Sequence, residues 1–349
     1  MKQLIDKLEA TNNLTLEEWT TLIQGRTPSL SDYLFKKARQ IRDVHYGKEI
    51  YLRGLIEFTN HCQNNCIYCG IRCAHSTLKR YRLTAEEILD CCRQGYALGF
   101  RTFVLQGGED PFFTDDHLIP ILSEIKDHFP DCALTLSIGE RSEDSYRRLY
   151  QAGADRYLLR HETADPDHYR KLHPPSLTAK HRQACLWQLK AIGYEVGTGF
   201  MVGSPFQTPH HLARDMQLIK KLNPQMVGIG PFIPHHRTPF RNESAGSLEL
   251  TLFMLGLLRL MLPTVLLPAT TALSTLSPKG RILGIQAGAN VIMPNLSPSR
   301  CRKDYDLYDG KVSLGAESAE GLNLLKQQLS TIGHRIAITR GDSKTPKVS

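Results

Sequence analysis

Three cysteines stand four and three positions apart in Cys62-Gln63-Asn64-Asn65-Cys66-Ile67-Tyr68-Cys69. A loop with that spacing can turn its sulfurs toward one centre, and thiolates select iron–sulfur clusters, zinc or Cu(I). Three sulfurs on a four-iron cubane leave one iron without a cysteine, an open position where a cofactor or substrate can chelate. A structural zinc site wants four protein ligands, and His61 and Cys73 are near enough in sequence to offer the fourth. For Cys91, Cys92, Cys132 and Cys185, inert burial is the better reading.

Something must carry that loop to a cavity. Short β-rich runs recur at Leu55–Thr59, Thr102–Gln106, Leu134–Ser137, Arg156–Arg160, Val196–Met201, Met226–Pro231, Val265–Ala269 and Asn290–Met293, each followed by a turn and a helical pattern. Strand–helix alternation predicts parallel pairing. Eight such units over roughly 240 residues predict an α/β fold, a (β/α)8 TIM-type barrel, ahead of an open doubly wound sheet. Thr15 with Glu18 has capping-box spacing before Leu16, Trp19 and Leu22, so residues 1–50 read as a helical extension. The barrel takes 51–300, and 301–349 form a C-terminal cap and a polar tail that frays after Arg340. In a barrel, chemistry sits at the carboxyl ends of the strands. Those ends carry the cysteine loop, Gln106 to Glu109, Ser137, Arg160 to Glu162, Gly228 to Gly230, Thr270, Thr271 and Met293. The pairs His210-His211 and His235-His236 read as loop histidines rather than metal ligands.

Composition narrows the partners. Lys and Arg number 43 against 35 Asp and Glu, a net charge of +8, with 41% hydrophobic residues. No run of five like charges and no basic stripe with interleaved aromatics marks a nucleic-acid surface. The most apolar stretch, Leu252 to Pro268, is broken by Arg259 and Pro263 and is too short to span a bilayer. With no visible signal peptide, the chain reads as cytoplasmic, and its nine cysteines as thiols or metal ligands.

The pattern Cx3Cx2C after a first barrel strand resembles the radical S-adenosylmethionine (SAM) superfamily. Further motifs are similar to its FeFe-hydrogenase maturase branch, ahead of biotin synthase and methylornithine synthase. They are Tyr81–Thr84, Val104–Pro111, Arg156–Thr163, Met226–Pro234, Pro268–Ala272 and Gly288–Asn295. The resemblance implies one 4Fe–4S cluster on Cys62, Cys66 and Cys69, with SAM on the open iron. It implies SAM contacts from Tyr68, Gly107, Gly108, Ser137, Arg160, Glu162 and Arg182. Gln106, Arg156, Thr270, Thr271, Met293, Tyr305 and Tyr308 would surround a small organometallic or thiolate substrate. A flavodoxin- or ferredoxin-like electron donor and other hydrogenase maturases would be partners, with no nucleic acid or membrane. Many maturases of this branch carry a second, distal cysteine triad; residues 309–318 contain no cysteine, so a single cluster is expected. Sulfur insertion or carbon-skeleton rearrangement is the alternative enzyme reading, and a zinc-binding, non-catalytic module is the third.

Overall fold

The computed structural model describes residues 1–345. Helices Lys2–Thr11, Leu16–Gln24 and Pro28–Tyr46 form the N-terminal segment. The Thr15–Glu18 capping box is present in full, so the first orphan amides of the second helix are satisfied by side chains. The stretch read as the most apolar lies largely in the buried helix Leu248–Met261, whose Arg259 is satisfied by the carbonyls of Gly288, Pro263 and Val265.

Among the described residues, eleven short strands follow in chain order: β1 (Glu49–Leu52), β2 (Gly54–Thr59), β3 (Thr102–Gly107), β4 (Ala133–Ser137), β5 (Arg156–Leu158), β6 (Glu195–Thr198), β7 (Met201–Val202), β8 (Met226–Val227), β9 (Gly230–Pro231), β10 (Val291–Ile292) and β11 (Arg335–Ala337). A parallel sheet runs β2-β3-β4-β5-β6-β8. Parallel bridges continue it: Met226 to Leu266, Pro268 to Val291, and Leu55 to Asn295 beside β2. Those bridges bring the pairing back to its first strand, as a TIM-type barrel requires. The strands are near-continuous apolar runs because helices cover their outer side and the lumen their inner side.

Two expected strands are each divided. Val196–Met201 splits into β6 and β7, and Met226–Pro231 into β8 and β9, with β7 pairing β9. The backbones come together at the breaks: a Cβ on Gly199 would lie 1.9 Å from the Gly228 carbonyl oxygen. β1 and β11 have no counterpart among the expected strands; they pair with each other, and β1 also pairs with β10.

The tail after Arg340 does not fray over the described residues. The Arg340 carbonyl accepts from the Thr102 hydroxyl at 2.7 Å and from Arg156 at 3.1 Å, and Thr345 is buried. Arg156 lies inside the barrel at the amino-terminal end of β5 and needs acceptors there, which the tail supplies. Residues 346–349 of that expected tail lie outside the described residues.

Candidate active site

The cysteine loop leaves the end of β2 and is held on three sides. Gln63 N–H donates to the Glu109 carbonyl, Ile67 N–H to Leu172 and Gly70 N–H to Leu307, each at 2.9 Å. Gly108, just past β3, presses directly against it. A Cβ there would sit 2.2 Å from the His61 carbonyl oxygen and 2.7 Å from the Cys62 Cβ. Packing of the β3 end on the cysteine loop therefore demands this glycine, whether or not a ligand needs the space.

The three thiols are free. Burial pushes the Cys62 thiol up and the Cys69 thiol to about 12, and it drives Cys66 well above its ordinary value with added repulsion from Cys69 and Cys62. Such thiols keep their protons until a metal ion displaces them. Cys73 is exposed, its N–H bonded to the Asn64 carbonyl.

All three sulfur-bearing residues line a cavity of about 370 Å³ at the carboxyl ends of the strands. The same wall includes Tyr68, Gln106, Gly107, Gly108, Ser137, Arg160, Glu162, Arg182, Thr270, Thr271, Met293, Tyr305 and Tyr308. Arg156 is absent from it, which corrects its assignment to substrate. As the first residue of β5 it points its guanidinium to Glu195 at 2.7 Å, Thr102 at 3.0 Å and Asp342 at 2.5 Å, at the opposite mouth of the barrel.

Just beyond β5, Glu162 has φ 61°, the left-handed region, and is held there by Glu162 N–H to the Gly199 carbonyl and Met201 N–H to the Glu162 carbonyl. A non-glycine residue kept in that region marks a constrained position. Its carboxylate lies 3.0 Å from Arg160. Even so, the buried Oε2 of Glu162 and Nε and Nη2 of Arg160 have no well-directed hydrogen bond, leaving polar groups available at the cavity wall.

Arg182 lies 2.6 Å from Glu140 and 3.7 Å from Glu109. Burial alone pulls this guanidinium down, but Tyr169, Glu140 and Glu109 together raise it, so it stays charged. On the same side, His173 stacks on Tyr169 and its Nδ1 donates to the Tyr169 carbonyl at 3.0 Å, leaving Nε2 to accept the Tyr68 hydroxyl at 3.3 Å. Burial lowers His173 to about 3, so it is the neutral ring that orients Tyr68.

A buried ion pair in the wall has no counterpart among the residues singled out by sequence. Lys311 Nζ lies 2.5 Å from Glu57 Oε1 and donates to the Tyr305 carbonyl at 3.0 Å, while Asn295 Nδ2 donates to Glu57 Oε2 at 2.7 Å. A carboxylate in the middle of the apolar run Leu55–Thr59 was a visible signal, since a parallel strand buried on both faces has no solvent for it. Lys311 gave none. Thr271 donates its hydroxyl to Glu317 at 3.1 Å, so part of its hydrogen-bonding capacity is already used.

The histidine pair His235-His236 faces Asp306 and Asp309 at the barrel lip, with His235 Nε2 2.8 Å from Asp306 and His236 Nδ1 2.6 Å from Asp309. The Arg237 N–H donates to His235 Nδ1 at 3.0 Å, so the proton of a neutral ring resides on Nε2. That proton occupies the atom a metal would need. The group latches the loop after β9 to the segment carrying Tyr305 and Lys311.

The description Radical SAM superfamily matches residues 56–219, which include the cysteine loop and the ends of β2 through β6. Over 334 residues the chain is 42% identical to the FeFe hydrogenase maturase subunit HydE of Thermotoga maritima, covering 96% of this chain and 95% of that protein. The chain belongs to the radical SAM superfamily. A further relative, 3-methylornithine synthase of Methanosarcina barkeri, is 29% identical over 311 residues, 87% of this chain and 86% of its own. Among solved structures, methylornithine synthase superposes with a TM-score of 0.83 at 26% identity, covering 96% of this chain and 97% of that one. The maturase HydG superposes at 0.81 with 20% identity over 96% of this chain and 75% of its own, a likeness of fold. Membership implies an enzyme using a 4Fe–4S cluster and SAM. Among the described residues, no helix is long and apolar enough to cross a membrane.

Proposed function

We propose that the chain cleaves SAM reductively and acts in assembly of the diiron subcluster of FeFe hydrogenase. The observation that carries this reading is the convergence of three free, half-buried thiols and the underbonded Arg160–Glu162 pair on one cavity, in a chain 42% identical to HydE along nearly its whole length. Cys62, Cys66 and Cys69 would hold the cluster. When bound, the cluster supplies the electron that splits the sulfonium of SAM into methionine and a 5′-deoxyadenosyl radical.

The chain's own residues bind, orient and exclude water. Glu162 suits ribose hydroxyls and Arg182 the methionyl carboxylate, each offering charge-assisted hydrogen bonds. Arg182 keeps its charge because Glu140 and Glu109 stand behind it, and Tyr68 is fixed by His173. The backbone at Gly107 and Gly108, together with Ser137, lines the same end. Gln106, Thr270, Thr271, Met293, Tyr305 and Tyr308 would bound the substrate, a small organometallic or thiolate ligand, with Glu57 and Lys311 beside them.

A zinc module is disfavoured by placement. Four sulfurs on one zinc stand about 3.8 Å apart, given Zn–S bonds of about 2.3 Å. Cys73, the fourth thiol such a module would use, is exposed and off the cavity wall, whereas Cys62, Cys66 and Cys69 line it.

Anaerobically reconstituted protein reduced with dithionite is expected to bind about four irons and to form 5′-deoxyadenosine from SAM. Cys66→Ala should lose both, and persistent cleavage by that variant would overturn the assignment. Restoration of active hydrogenase in a strain lacking its HydE separates this reading from a methylornithine synthase-like activity.

A further inference from the structure

Phe206 is a phenylalanine in a glycine's conformation. Its φ is 68°, a region that a bulky side chain occupies only against steric cost, and its side chain is 55% exposed. The turn that holds it is over-determined. Gln207 Oε1 accepts the Gly203 N–H at 2.6 Å, Gln207 Nε2 donates to the Met201 carbonyl at 2.8 Å, and His168 Nε2 donates to the Pro205 carbonyl at 3.0 Å. Glycine would fit the backbone better, and the ring is not in the core.

The surroundings say what the ring could serve. The Lys171 ammonium lies 4.9 Å from the ring centroid, and the ring edge meets Phe240 at 6.2 Å. Phe240 clusters with Leu172, Met201 and Phe232, and against that cluster pack Ile67 and Tyr68, the two residues between Cys66 and Cys69. One layer of side chains thus separates the exposed ring from the cysteine loop. Its two bordering segments carry two more exposed cations than anions: Arg170, Lys171, Arg237 and Arg241 against Glu243 and Asp167, the latter paired with Arg170.

We propose that Phe206 and Lys171 anchor the docking of an acidic one-electron carrier protein that reduces the cluster. The proposal rests on the function proposed above, which requires such a donor. In the docked pair the carrier loses one electron and the cluster gains it, with no atom transferred. An exposed aromatic ringed by charge has the make-up of an interface hot spot, and a basic rim steers an acidic partner.

The test is calorimetric titration of the full, cluster-loaded chain with an acidic flavodoxin at two salt concentrations. The unsubstituted chain should bind, more weakly at higher salt. Phe206→Gly and Lys171→Glu should each weaken binding by about tenfold or more. Phe206→Gly should melt no lower than the parent, so that lost affinity is not lost folding. With dithionite as reductant both variants should form 5′-deoxyadenosine as the parent does, while with reduced flavodoxin the KM for flavodoxin rises. Absence of flavodoxin binding by the parent, or unchanged affinity in both variants, would overturn the proposal. Loss of self-association in Phe206→Gly with flavodoxin affinity intact would also overturn it, assigning the surface to a second copy. Failure of dithionite-driven cleavage by the parent counts against the enzyme function instead, because the titration reads docking without turnover.

Discussion

Glu57 and Lys311 come from residues far apart in the chain and meet in the barrel wall. The Glu57 side chain is fully buried and that of Lys311 is 9% exposed, so each neutralises a charge that water solvates poorly. Breaking such a pair by removing one partner typically costs about 3–5 kcal/mol, whereas removing both charges costs far less. Lys311→Met is therefore expected to lower stability by about that amount, since Asn295 alone would face the Glu57 carboxylate. Glu57→Gln combined with Lys311→Met should recover most of the loss. Denaturant midpoints of Lys311→Met, Glu57→Gln and the double variant check this cycle; a single variant within about 1 kcal/mol of the parent would mean that water reaches the pair. Half of the pair was legible, because Glu57 interrupts an apolar strand. Its partner was not, because Lys311 reaches the wall only through the fold of the segment after residue 300, which no local pattern encodes.

At the scale of the elements, the strand ends were the readable part and strand polarity decided what was read well. Residues just past β3, β4 and β5 fell where a barrel puts its chemistry. Arg156 and Arg160 belong to one expected strand, yet they face opposite mouths, because β5 begins at Arg156 and only its far end opens on the cavity. The glycines divide in a similar way. Gly108 and Gly228 line the same cavity, but a Cβ on Gly108 would collide with the cysteine loop, whereas one on Gly228 would find its nearest neighbour 3.7 Å away. Gly108→Ala should then displace the loop and lose at least half of the bound iron, while Gly228→Ala retains it. Iron stoichiometry after reconstitution, compared with the thermal melts of the two variants, separates loss of the site from loss of the fold. Equal iron content in the two would contradict the proposed packing role. Sequence placed both glycines at strand ends; which backbone each touches is a tertiary fact.

For the whole molecule, burial sets the response to acid. His173 is lowered to about 3 and His168 to about 4, in both cases chiefly by burial, and each ring is engaged as a neutral group. His168 donates through Nε2 to the Pro205 carbonyl and receives the Thr163 hydroxyl at Nδ1, as His173 does between Tyr169 and Tyr68. An unfolded chain protonates both near pH 6.5, while the folded chain does not until far lower pH. Between about pH 6 and pH 4 the unfolded state thus holds up to two more protons, and stability falls as pH falls. Each histidine contributes a slope approaching about 1.4 kcal/mol per pH unit. The contribution of His168 fades as pH drops through its folded value near 4, and that of His173 persists further down. Carboxylates add their own terms, so the informative quantity is the difference between parent and variant. His173→Gln should flatten the dependence of unfolding free energy on pH by about one proton over this range, with little change in slope above pH 7. An unchanged acid slope in that variant would mean that His173 already carries its proton in the folded state. Its neutral hydrogen-bond pattern, and with it the fixed orientation of Tyr68 beside the cysteine loop, would then have to be abandoned.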